Sequence, residues 1–323
     1  MLRSAAAQQD PVSNPVEPML DSPLFQQVLD EVRERREEFD TLSHVPRDMI
    51  ERFKQVGIYR AATPKCFGGD ALAPGLFLQM IERISEADGS AGWVASFGSA
   101  GVYLAALPPE TLAELYADSP DLVFAGGLFP LQPAQVVEGG WQVSGTWKFA
   151  SGCKGADLLG VGIGASAAGG KPRTAVFPAS RVEIVENWDV VGLKGTGSHD
   201  LVVEDVVVGE QWTFVRGGKP NLDEPFFRYP SLSFATQVLS VVGLGIARAA
   251  LDAEEQATER ARADAGALPV RRRQQAGQRG VLQRTGPAGC GGESGQGPGH
   301  RVPGPGRQRQ PLHPRRRGVL GTP

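Results

Sequence analysis

The stretch GGWQVSGTWKFASGC, Gly139 to Cys153, is dense in side chains suited to holding a flat ring. Phe149 offers an aromatic face, Ala150 is small enough to let backbone come close, and Ser151 carries a hydroxyl that both donates and accepts. Trp141 and Trp147 lie in the same run, and both also suit cross-strand fillers of a plain hairpin. Phe149 taken alone equally suits core packing. Taken together, the residues point to a planar ligand lying along a strand. Metal chemistry is not indicated, because Cys66, Cys153 and Cys290, like His44, His199, His300 and His313, fall at no ligand spacing. A nicotinamide fingerprint is missing too. The glycines of GLKGTGS, Gly192, Gly195 and Gly197, have the wrong spacing for a Rossmann turn and sit between β runs.

The elements that must position these residues change character along the chain. The segment PRDMIERFKQVG opens on Pro46, sets Met49, Ile50, Phe53 and Val56 on one stripe and stops at Gly57, which predicts an amphipathic helix. A second helix is expected from about Pro74 to Ala87, with Leu76, Met80, Ile81 and Ile84 inward. The third, SAGWVASFGSAGVYLAAL, is rich in Ala, Gly and Ser, so that either a ligand or a neighbouring helix can approach its backbone closely. From about Leu122 to Val208 short β runs alternate with glycines, the pattern of a compact barrel or sandwich. Helical periodicity then returns, with Val238, Val241, Val242, Ile246 and Ala250 expected on one face. The fold class is α+β: an N-terminal helical domain, a small central β-barrel or sandwich, and the start of a C-terminal helical bundle. The expected limits are an unstructured N-terminus over 1–22, helices over 23–119, the β domain over 120–215, an incomplete helical domain over 216–268 and a disordered tail over 269–323.

The formal charge of -3 over 323 residues conceals a split. From Arg271 to Pro323 there are eleven Arg, no Lys and one acid, with 13 Gly and 7 Pro, a composition that builds no packed core. A basic arm for nucleic acid or membrane is one reading, but such arms usually carry lysine. Arg, Gly, Pro, Ala and Gln together are what GC-rich codons yield out of frame, so a frameshift near residue 268 is expected, and translating the other frames should restore amphipathic helices. No apolar run approaches the roughly 20 residues that span a bilayer, and the first twenty residues lack a hydrophobic signal core, so a soluble cytoplasmic protein is expected.

Helices, a small β domain and helices again, with WQVSGTWKFASG between them, resemble the acyl-CoA dehydrogenase superfamily over roughly residues 25 to 265. The resemblance implies a hairpin whose second strand lies along a flavin, with Phe149 packing by the ring and Ser151 as the catalytic hydroxyl near flavin N5. Gly126 falls at a cofactor-binding position where relatives can carry a hydroxyl, and Trp93, Ser96 and Ser99 fall on the pocket wall, on a helix without the histidine some relatives use. Phe226, Phe227 and Tyr229 are placed as a cap on the substrate cavity, or else as packing at a domain junction. The Thr-Glu-Pro and Gly-Ser-Asp signature of true dehydrogenases is absent from FAGGLFPLQPAQVVEGGW. GTWKFASGC, WDVVGLKGTGSHDLVVEDVVV, VPRDMIERFKQVGIYRAATPKCFGG and SEADGSAGWVASF instead look like the flavin-dependent monooxygenase branch, the oxygenase components similar to p-hydroxyphenylacetate and secosteroid-phenol hydroxylases. That branch implies reduced flavin, FMN or FAD, supplied by a separate reductase, with O2 and an aromatic or polycyclic substrate, in a homotetramer that needs neither nucleic acid nor membrane. An acyl-CoA dehydrogenase and an inactive truncated product are the alternatives.

Overall fold

A computed structural model of the chain describes residues 17–164 and 171–267. The expectations for the tail over 269–323, including its reading frame, lie outside the described residues. The last residues of the segment expected to be unstructured are ordered: α1 (Glu17–Leu20) packs Met19 and Leu20 against the core.

The helical layer follows from short local signals. α2 (Pro23–Glu34) begins where the Ser22 hydroxyl accepts from the Phe25 N–H at 3.2 Å, with Pro23 at a position that needs no donor, and buries Phe25, Val28, Leu29 and Val32 on one stripe. α3 (Arg36–Leu42) ends on Ser43 in the left-handed region. α4 (Arg47–Gln55) buries Met49, Ile50 and Phe53, and α5 (Pro74–Ala87) buries Leu76, Met80, Ile81 and Ile84, both as their periodicity predicts.

The third predicted helix is not continuous. It divides into α6 (Gly89–Ala95), a 3-10 turn over Ser96–Ala100 and α7 (Gly101–Leu104). Asp88 caps α6 by accepting from the Ala91 N–H at 2.8 Å. The break comes where Ser96 and Ser99 donate back to the carbonyls of Trp93 and Ser96, at 2.6 and 2.8 Å, in competition with the helical ladder. What approaches this backbone is protein: a Cβ at Gly98 would lie 2.2 Å from the Ile58 carbonyl oxygen, and one at Gly101 2.1 Å from that of Ala62. α8 (Pro109–Leu115) closes the layer over a small second core around Leu104, Leu107, Leu112, Tyr116 and Phe214.

The β layer comprises β1 (Phe124–Val137), β2 (Gly140–Ala150), β3 (Leu158–Gly164), β4 (Arg173–Pro178), β5 (Glu183–Val185), β6 (His199–Val208) and β7 (Thr213–Val215). They form one seven-stranded sheet in the order β5-β6-β2-β1-β3-β4-β7, antiparallel except for the β1–β3 pair. β4 and β6, far apart in that order, also approach each other, so the sheet curls back on itself in the manner of a small barrel. Trp147 lies wholly inside the curl and donates its indole N–H to the Gly162 carbonyl at 2.7 Å, tying β2 to β3 across β1. Trp141 donates to Glu210 and packs under the Arg173 guanidinium, 5.7 Å from its ring. Both tryptophans are therefore sheet fillers. Arg47 on α4 pins the helices to the sheet by donating to the Gly155 carbonyl at 2.8 Å and pairing with Asp157.

α9 (Ser231–Ala267) lies along α5. Its buried stripe runs through Phe234, Ala235, Val238, Val242 and Gly245, while Ile246 and Ala250, expected inward, are exposed. Gly245 decides the rotation: a Cβ there would sit 2.4 Å from the Glu82 carbonyl oxygen, so this face carries the close contact. Within Ser231–Ala263 the mean hydropathy of an 18-residue window reaches 1.6, which makes α9 the one helix among the described residues long and apolar enough to cross a membrane. The sequence expectation missed this because it looked for an apolar run, whereas in α9 Leu, Val, Ile and Phe are interrupted by Ser, Thr, Gln and Gly and still carry the average.

Candidate active site at the end of the second strand

β2 should alternate its faces, which would put Trp147 and Phe149 on the same side. They are not. Trp147 pairs with Leu201 and Ala150 with His199, so two residues of β2, Lys148 and Phe149, oppose one of β6. This bulge resets the alternation: Trp147 and Ala150 are buried, while Phe149 is 57% exposed. Phe149 has φ of 62°, a left-handed conformation that costs an aromatic L-residue on the order of 1 kcal/mol or more. The strain holds an aromatic ring at the surface, beside Phe129 (62% exposed, centroids 6.4 Å apart) and with its edge to Trp188 at 6.3 Å. Phe129 and Phe149, their planes 22° apart, make a platform for a flat ligand, and Trp188 stands at 84° to Phe149 as a wall beside it.

Two residues on, Ser151 is 8% exposed and its hydroxyl contacts that of Ser198 at 2.7 Å. Ser198 in turn contacts Thr196 at 2.7 Å, and Thr196 donates to the Leu193 carbonyl at 2.8 Å. A carbonyl oxygen only accepts and each hydroxyl has one proton, so the direction of the whole chain is fixed from its far end. Thr196 donates to Leu193, Ser198 to Thr196 and Ser151 to Ser198. Ser151 therefore offers a ligand lone pairs and no proton. Sequence reasoning allowed this hydroxyl either role and passed over Thr196 and Ser198 altogether. The available signal was the alternation of glycine with hydroxyl residues in GTGS: Gly197 takes φ of 55°, and a Cβ on Gly195 would come within 3.0 Å of Phe39 and Ser90, so the loop tucks its hydroxyls inward against α3 and α6. The Gly152 N–H donates to the Thr196 carbonyl at 2.8 Å and locks the two loops together.

Beside Ala150 in the register, His199 is 3% exposed and accepts the Trp188 N–H on Nδ1 at 3.1 Å. Its neutral form thus carries the proton on Nε2, which has no partner among the described residues. Burial holds its pKa below the ordinary histidine value, against the opposing pull of Glu186.

A cavity of about 670 Å³, its open side included, lies between the broken helix, the sheet and α9. Ser96, Ser99 and Gly126 line it, with Tyr103, Phe214 and Arg216. Gly126 belongs to the wall for a reason of its own: a Cβ there would lie 2.5 Å from the Gly160 carbonyl oxygen of β3, so a hydroxyl-bearing side chain would require the strands to shift. Trp93 is not among the lining residues and packs against the core from a half-buried position. Phe226 and Phe227 do not line the cavity either. They are buried with ring centroids 5.0 Å apart, and Phe226 meets Phe234 of α9 at 5.7 Å, with Tyr229 at 6.0 Å from that same ring. This is the junction packing weighed for them beside the cap.

The residues present fit a flavin on two grounds visible here, the strained exposed platform and a buried hydroxyl left with lone pairs only. No protein-family model matches the chain. It is 65% identical over 243 residues to indole-3-acetate monooxygenase of Pseudomonas putida, covering 74% of this chain and 62% of that protein. It is 34% identical over 242 residues to the oxygenase component of FADH2-dependent resorcinol hydroxylase of a Rhizobium species, covering 70% and 58%. The chain thus spans about three-fifths of the length of the curated relatives it matches. The crystal structure of the HsaA monooxygenase from Mycobacterium tuberculosis superposes with a TM-score of 0.71 at 27% identity, covering 79% of this chain and 70% of that one. By sequence and by fold, the chain is similar to oxygenase components of flavin-dependent monooxygenases, proteins of acyl-CoA dehydrogenase-like architecture.

Proposed function

We propose that this chain derives from the oxygenase component of a two-component flavin-dependent monooxygenase that hydroxylates an aromatic or polycyclic substrate, with indole-3-acetate, named in the P. putida relative, the first to test. The observation that carries the reading is the fixed direction of the Ser151–Ser198–Thr196 chain, which leaves Ser151 as an acceptor beside the Phe129–Phe149 platform. Reduced flavin bears a proton on N5 and oxidised flavin a lone pair, so this acceptor favours the reduced form. When bound, reduced flavin supplies two electrons to O2, one oxygen atom of which goes to the substrate ring while the other leaves as water.

The chain's own residues do the rest. Phe149 and Phe129 would hold the ring by its face, Trp188 would flank it, and Ala150 would let backbone approach its edge. Ser151 would accept a hydrogen bond from N5–H and so hold that proton in place, which opposes its loss. The apolar wall of the cavity excludes water from the reacting ring. The cofactor is reduced FMN or FAD, delivered by a separate reductase. The intact assembly is a homotetramer, consistent with Leu232, Leu239, Leu244 and Leu251 standing exposed along α9. The protein acts in the cytoplasm, without nucleic acid or membrane, and α9 is a bundle helix with its stripe on α5.

The test is to load the chain with reduced flavin, admit ¹⁸O₂ and indole-3-acetate, and analyse the product by mass spectrometry. One ¹⁸O atom in a hydroxylated product is expected. Bleaching of oxidised flavin by an acyl-CoA with no label incorporated would instead favour a dehydrogenase, and failure to retain any flavin an inactive product.

A further inference from the structure

Among the described residues that line the cavity, Arg216 is the single charged one. It follows directly after β7, and the turn is set there because Gly217 takes φ of 75° with Leu232 of α9 close against it. Its guanidinium lies over the Tyr103 ring, 5.6 Å from the centroid, which holds it at the cavity mouth. It has no carboxylate partner among the described residues, although the other cations at helix and strand junctions, such as Arg47, Arg60 and Arg173, all have one. The remaining polar groups sort by role. Ser96 and Ser99 spend their protons on the carbonyls of Trp93 and Ser96, so they present acceptors to the cavity. Burial raises the pKa of Tyr103, which keeps its phenol protonated despite the nearby guanidinium.

An apolar slot with acceptors on one wall and an unpaired guanidinium at its mouth matches one class of molecule. We infer that Arg216 binds the carboxylate of an aromatic acid whose ring fills the cavity, with a ring N–H or O–H directed to the serine wall. The guanidinium presents paired N–H donors that suit a carboxylate in two-point contact. This rests on the proposed function and adds to it the residue that selects for an acid.

The test compares the full chain with Arg216→Gln and Arg216→Lys by equilibrium titration with indole-3-acetate, indole-3-acetamide and 3-methylindole, with and without reduced flavin. Near-ultraviolet circular dichroism checks each fold. The wild type should prefer the acid to the amide. Arg216→Gln should weaken the acid about tenfold or more, the low end for a hydrogen-bonded charge at a partly exposed site, and leave the two neutral ligands within about twofold. Arg216→Lys should fall between. Equal weakening of acid and amide would overturn the assignment, as would a variant that loses flavin affinity while keeping its preference for the acid. Because the flavin-free titrations give the acid-to-amide ratio independently, a chain that retains no flavin would sink the parent function without deciding the fate of Arg216.

Discussion

Replacing Ser198 by alanine removes the acceptor that fixes the proton of Ser151, while Ser151 itself and the aromatic platform remain. Freed from Ser198, the Ser151 hydroxyl can turn and donate, so it serves oxidised N5 as well as it serves reduced N5–H. The preference at stake is one neutral hydrogen bond, about 0.5–1.5 kcal/mol, or roughly 2- to 12-fold in the ratio of the two dissociation constants. For a two-electron couple, about 1 kcal/mol corresponds to roughly 20 mV, and because the wild type favours the reduced form, the bound potential should become more negative in the variant. The assay measures dissociation constants for oxidised flavin in air and reduced flavin under anaerobic conditions, by fluorescence, for wild type and variant. Thr196→Val should act in the same direction, since Ser198 then loses its acceptor and can donate back to Ser151. A folded Ser198→Ala protein with an unchanged ratio would refute the argument that the chain sets the polarity of Ser151.

Phe149→Gly should be more stable than Phe149→Ala by about 1 kcal/mol in chemical denaturation, because residue 149 has φ of 62°, yet both should lose flavin affinity. Gly101→Ala should cost about 1–3 kcal/mol, read as a lowered melting temperature, because its Cβ would meet the Ala62 carbonyl oxygen at 2.1 Å. His199 is held below its ordinary pKa, so the unfolded chain takes up a proton first and stability should decline as the pH falls below about 6.5. His199→Asn, whose side-chain oxygen can take over the acceptor role of Nδ1, should flatten that decline in denaturation midpoints measured between about pH 7 and 5.

What the sequence made legible was whatever repeats with a period. The stripes of α4 and α5 could be read residue by residue, since an amphipathic face needs only the right spacing, and the run of β segments announced a curled sheet. Phe149 and Ser151 were identifiable by their kinds and by resemblance. Their geometry was not: a bulge changes face without changing composition, so FASG reads alike with or without it. Thr196 and Ser198 were hidden because hydroxyl residues among glycines have the same appearance as any solvated turn, and their role exists only once Gly152 docks against them. The division of the third helix turned on which backbone groups Ser96 and Ser99 chose. Arg216 was one arginine among many until the fold left it without a carboxylate partner among the described residues.

The extra residue in β2 separates two demands that an ordinary strand would make of one side chain. Trp147 and Ala150 keep the interior filled, and position 149 answers only to whatever sits outside. A lineage carrying this kink can exchange the outer ring for another group and so retune its cofactor contact, leaving the packing of the interior untouched.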